Sequence, residues 1–147
     1  MTSFGFRFEP EPSKARALRA AIRVRLAEHD VLASDIDRIV LVIDEIVSNS
    51  IEHAAPFRAE VDRLMLHFKI EDTHLLVEFR DPAVPAQAVA EIVRQLAECR
   101  EGRRPPLEHE RGRGLFLIED AFEELTVSRG PDGLGLRLRG RFPRATA

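Results

Sequence analysis

Apolar residues in this chain alternate between period two and period 3.6, and the period-two segments after the first come in adjacent pairs. That order limits the possible folds more than any other feature. Phe4, Phe6 and Phe8 alternate with polar residues as in a half-buried strand. Pro10 and Pro12 end it, and Ser13 is expected to cap a helix with apolar positions at Ala17, Leu18, Ala21, Ile22, Val24, Leu26 and Ala27. His29-Asp30 breaks that period, and a second helix is expected from Ser34 or Asp35 to about Ala55, stopped by Pro56. Residues 63–70 and 75–79 read as an antiparallel hairpin around Glu71-Asp72-Thr73-His74. Helices are expected at 86–99 and about 112–122. Strands at 125–128 and 134–142 close the chain through Gly130-Pro131-Asp132-Gly133. Paired strands argue against a regular βαβ winding. They predict an α+β two-layer sandwich: one mixed, mostly antiparallel sheet with helices on a single face. At 147 residues, the span 1–147 is expected to be one domain.

Charge and composition exclude several functions. The formal net charge is −3, which argues against broad binding of nucleic-acid backbones. No run approaches the ~18 apolar residues of a membrane span, and the alternating first strand does not read as a signal peptide. The single cysteine, Cys99, cannot form an internal disulfide and points to a reducing compartment, so a cytoplasmic location is expected. Cys99 lies near arginines and reads as an incidental thiol, with a lowered pKa as the other possibility. Arg16, Arg19, Arg23 and Arg25 on the first helix are either a solvated face or a docking surface for an acidic partner. His29, His67, His74 and His109 have no metal-ligand spacing. No P-loop or Gly-x-Ser-x-Gly pattern is present.

The second helix carries the most information. Ile36, Val40, Ile43, Val47, Ser50 and Ala54 share one face. Glu45, Asn49 and His53, spaced i, i+4 and i+8, form a second stripe at its border. This stripe is either a solvated helix edge or a general-base and metal pair. In the second case the Glu45 carboxylate polarises an attacking hydroxyl and the Asn49 amide oxygen is a hard ligand for Mg²⁺. Downstream, Asp81 follows the hairpin strand, and Arg111-Gly112-Arg113-Gly114-Leu115 places two glycines directly before an apolar helix. Glycines admit phosphate oxygens to backbone amides, and a helix N-terminus is partially positive.

In this order and spacing, the motifs resemble the GHKL (Bergerat) ATP-binding fold. The segments Asp44–Ala54 and Glu110–Ile118 resemble the anti-sigma factor serine/threonine kinases of the RsbW and SpoIIAB type, over about residues 4–142. The resemblance implies an ATP- and Mg²⁺-dependent protein kinase. It would phosphorylate a small STAS-type anti-sigma factor antagonist and sequester a sigma factor, as a homodimer with no direct nucleic-acid or membrane contact. It implies Glu45 as general base, Asn49 as Mg²⁺ ligand, His53 as pocket support and Asp81 as the adenine-reading carboxylate. Ala83 falls in the first glycine box. Arg111, Gly112, Arg113, Gly114 and Leu115 form the second box under the phosphates, and the ATP lid falls at about 100–114. The chain departs from the family in two places. Asp-x-Gly-x-Gly reads Asp81-Pro82-Ala83-Val84-Pro85, and the usual Gly-Thr reads Gly133-Leu134. A non-catalytic binding module on the same fold, with weakened or lost ATP binding, is the alternative expectation.

Overall fold

Five strands form one sheet in a computed structural model that describes residues 2–101 and 110–145. The elements are β1 (Thr2–Phe8), α1 (Pro12–Glu28), α2 (Ala33–Ala54), a 3₁₀ turn (Ala55–Phe57), β2 (Leu64–Ile70), β3 (His74–Asp81), α3 (Ala86–Arg100), α4 (Glu110–Ala121), β4 (Glu124–Arg129) and β5 (Leu136–Pro143). The strand order is β1-β2-β3-β5-β4. The sheet expected to be mostly antiparallel is antiparallel at every neighbouring pair.

Period-two patterning builds the core. Leu64, Leu66, Phe68 and Ile70 of β2 and Leu75, Val77 and Phe79 of β3 point to the buried face, with Leu66 opposite Phe79 and Phe68 opposite Val77. Phe68, Phe79 and Phe142 are fully buried under the helices, each contributing about 1.5–3 kcal/mol. The alternate positions carry charge on the other face. There Glu78 accepts hydrogen bonds from Arg137 (Nε 3.0 Å, Nη2 2.9 Å) and from Arg80 (Nε 2.8 Å). Burial pushes the Glu78 carboxyl upward, but the two guanidinium groups outweigh it and hold the carboxyl below its ordinary 4.5. The stability from this depressed pKa is fully present above 4.5 and is lost as pH falls through the lower folded value. Glu78→Gln is therefore expected to destabilise the protein at about pH 7 and to cost much less at roughly pH 3. Urea unfolding at both pH values tests this, and an equal loss at both would contradict it.

The helices differ from expectation at their edges. Pro12 does not end β1; it opens α1, because the first helical position needs no N–H donor and proline presets its φ. Ser13 therefore lies inside the first turn and is not the cap. Ala15, Leu18, Ile22 and Leu26 are the buried positions of α1, whereas Ala17, Val24 and Ala27 face outward. Arg19 bonds Asp44, and Arg23 bonds Asp37 at 2.6 Å. Part of the arginine face thus ties α1 to α2. The whole expected stripe of α2 is buried, and so are Ile39, Val42 and Ile46, because α2 packs against α1 and α4 as well as the sheet. β5 starts at Leu136 and not at Leu134, since Gly133 and Gly135 take φ of +78° and +64° and turn the chain there.

Candidate functional site

A cavity of about 250 Å³ opens between α2, α3, α4 and the sheet. Phe79, Leu136 and Leu138 form its floor, Pro85, Ala88 and Ile92 one wall, and Leu115 and Ile118 another. Its polar lining comes from Asn49, Ser50 and His53 of α2. The volume is just below the ~300–1,000 Å³ of pockets that hold a whole ligand. The cavity therefore suits a flat, largely apolar group whose polar remainder lies outside. Phe57, 58% exposed, stands at its mouth where the 3₁₀ turn follows α2.

The 3.6-residue repeat of α2 sets Glu45, Asn49 and His53 on one edge of the helix; Asn49 and His53 line the cavity, and Glu45, one turn before Asn49, is not among its lining residues. Glu45 and Asn49 are half-buried and His53 is exposed. Gly114 of α4 lies directly against Glu45, so a Cβ added there would stand 2.1 Å from Glu45 Oε1. A side chain at 114 would therefore have to displace the Glu45 carboxylate from its place against α4. The glycine pair is not a lead-in before the helix, as the sequence suggested. α4 starts at Glu110, so Gly112 and Gly114 lie within its first turns. Two glycines lower helix propensity by roughly 1 kcal/mol each, and the packing of α4 on α2 overrides that. Leu115 is buried and lines the cavity. Arg111, Gly112 and Arg113 belong to the first turn of α4. Of the expected lid at about 100–114, residues 102–109 lie outside the described residues.

The altered loop after β3 adopts an unstrained conformation. Among the described residues, φ is positive only at Asp30, Gly133 and Gly135, so Ala83 and Pro85 occupy backbone that needs no glycine. Ala83 packs against the core, and its N–H donates to Asp81 Oδ1 at 2.9 Å. Pro85 precedes α3 at φ −73° and supplies part of the cavity wall. Asp81 is fully buried and is not among the residues lining the cavity. Arg58 Nη1 donates to its Oδ1 at 2.9 Å and Arg58 Nη2 to its Oδ2 at 2.8 Å, while Ser50 Oγ donates to Oδ2. Arg58 Nη2 also reaches the Ser50 carbonyl at 3.1 Å.

The sequence reading missed Arg58, Ser50 as a polar partner, and Phe57. The one local signal for Arg58 is its place just past Pro56, where the chain leaves α2. Cys99 takes no part in the site: burial, then the carboxylates of Glu119 and Glu98, push its thiol up, not down. Among the described residues no group of three or more His, Cys, Asp or Glu could hold a metal ion by itself. An Mg²⁺ at Asn49 would draw most of its ligands from phosphate oxygens and water, as this ion commonly does.

With this arrangement goes a family. The sequence profile of the histidine kinase-like ATPase domain matches residues 8–139, and the chain belongs to that family. Two solved structures share its fold. One is the SiaB–SiaC complex from Pseudomonas aeruginosa, with TM-score 0.73, 20% identity, and coverage of 95% of this chain and 88% of that one. The other contains the RsbU and RsbW domains of Rv1364c from Mycobacterium tuberculosis, with TM-score 0.64, 18% identity, and coverage of 99% of this chain. The present chain spans 34% of the length of that second structure. No curated protein matches the chain. No helix among the described residues is long and apolar enough to cross a membrane.

Proposed function

We propose that the chain is an ATP- and Mg²⁺-dependent serine/threonine protein kinase acting as an anti-sigma factor. It phosphorylates a small STAS-type antagonist and sequesters a sigma factor, working as a homodimer in the cytoplasm. The observation that carries this reading is the placement of Glu45 and Asn49 one helical turn apart on α2, with Asn49 lining the cavity and Gly114 of α4 against Glu45. A purine would fit the apolar cavity with its triphosphate directed toward Asn49 and α4, since the dipole of a helix N-terminus favours anions. Bound Mg²⁺ would neutralise charge on the phosphates and in-line transfer would follow from positioning. Asn49 would hold that ion through its amide oxygen. Glu45 accepts the proton of the partner's serine or threonine hydroxyl as the oxygen bonds to the γ-phosphorus and ADP leaves. Family membership and the fold shared with RsbW-domain and SiaB–SiaC structures support the assignment.

One observation favours a second reading, a binding module without transfer: Asp81 is already bonded within the protein. γ-labelled ATP, the purified chain and STAS-domain proteins of the same organism separate the two. Label on a serine or threonine of one partner supports the kinase. Stable complex formation without label supports the binding module.

A further inference from the structure

We infer that Arg58 takes Asp81 out of base recognition, so that the cavity accepts a purine nucleoside triphosphate without selecting for a 6-amino group. The inference rests on the nucleotide reading of the cavity and concerns which base it admits. An ionised carboxylate has about four acceptor positions on its two oxygens. At Asp81 all four are used: Oδ1 by Arg58 Nη1 and the Ala83 N–H, Oδ2 by Arg58 Nη2 and the Ser50 hydroxyl. The carboxylate is 0% exposed and the Arg58 side chain only 10%, so water does not compete for either. To read the amine of adenine, Asp81 would have to give up one of these donors. Giving up either Arg58 contact exchanges a charged donor for a neutral one in a desolvated site, which is unfavourable.

The chain makes this arrangement by local means. The 3₁₀ turn at Ala55–Phe57 ends α2, the Arg58 side chain just past it reaches back to the Ser50 carbonyl, and its planar fork meets both oxygens of the carboxylate at once. Ser50 both lines the cavity and donates to Asp81, so the wall offers a base only a neutral oxygen there. A neutral hydrogen bond discriminates by a few-fold, whereas one to a free carboxylate discriminates by more than about tenfold. Inosine triphosphate is the probe, because it differs from ATP by an oxo group where adenine carries its amine.

The test is calorimetric titration of the full chain with the Mg²⁺ complexes of ATP and of inosine triphosphate, on the wild type, Arg58→Lys and Arg58→Gln. The wild type is expected to prefer ATP by less than about tenfold, and both variants to prefer it by more. Lysine keeps the positive charge opposite Asp81 but loses the fork, so it supplies a folded variant if Arg58→Gln melts early. A wild-type preference for ATP of about tenfold or more overturns the inference and leaves the nucleotide site standing. An unchanged ratio in folded variants also overturns it. A wild type that binds neither nucleotide overturns the inference, which requires the cavity to admit a purine nucleoside triphosphate with Arg58 in place. No binding by any of the three proteins overturns the nucleotide reading and the inference together.

Discussion

Glu45→Gln is expected to bind Mg²⁺–ATP within about threefold of the wild type while transferring phosphate some 10²–10⁴-fold more slowly, the usual contribution of a general base. Glutamine keeps the shape that Gly114 leaves room for, so α2 and α4 should pack as before. What it loses is the ability to take a proton. If the two helices held Glu45 only for packing, the substitution would leave the rate unchanged. If the carboxylate instead helped hold the metal, Mg²⁺-dependent binding would fall together with the rate. Measuring affinity by calorimetry and transfer by label on the acceptor separates the three outcomes. Transfer at the wild-type rate would remove Glu45 from the chemistry.

A second large effect is expected at the turn between β4 and β5. Gly135 sits at φ +64°, and an added Cβ would stand 2.3 Å from the Asp81 carbonyl oxygen and 2.6 Å from Pro82 Cα. Both are backbone atoms at the end of β3, so no side-chain rotation relieves the clash. Gly135→Ala is expected to cost about 2–4 kcal/mol, the sum of left-handed strain and overpacking. It should also shift Asp81 against Arg58. Gly133 is the internal control: its φ is +78°, but a Cβ there meets nothing within 4 Å. Gly133→Ala should therefore cost only the strain, about 1–2 kcal/mol. Urea unfolding of the two variants gives the comparison. Equal losses would mean that the close approach to β3 contributes nothing.

The fold was legible wherever a period repeats. β2 and β3 bury every second residue, and α2 buries the stripe that 3.6-residue spacing assigns to it. The edges were harder to read, because apolar content alone does not say which residues face inward. Val24 of α1 is 56% exposed although it is apolar and stands between the buried Ile22 and Leu26. Pro12 reads equally well as the end of a strand or the first residue of a helix, and the structure takes the second option. In the site, helical spacing put Glu45 and Asn49 on one edge of α2, whereas the contact of Gly114 with Glu45 depends on how α4 packs on α2 and could not be read from the glycine pattern. The loss of glycines at 83 and 85 was legible as a change, but its physical outcome was not. The loop needs no positive φ, so the substitution leaves no strain. The partners of Asp81 could not be read at all. An ion pair between residues 23 apart follows from how the chain leaves α2, and no periodicity encodes that.

The most direct test is a calorimetric titration of the purified chain with ATP, with and without Mg²⁺. Nucleotide binding in this cavity predicts saturable binding that requires the metal and weakens in Asn49→Ala. No heat of binding at millimolar ATP, or binding indifferent to both Mg²⁺ and Asn49, would contradict it.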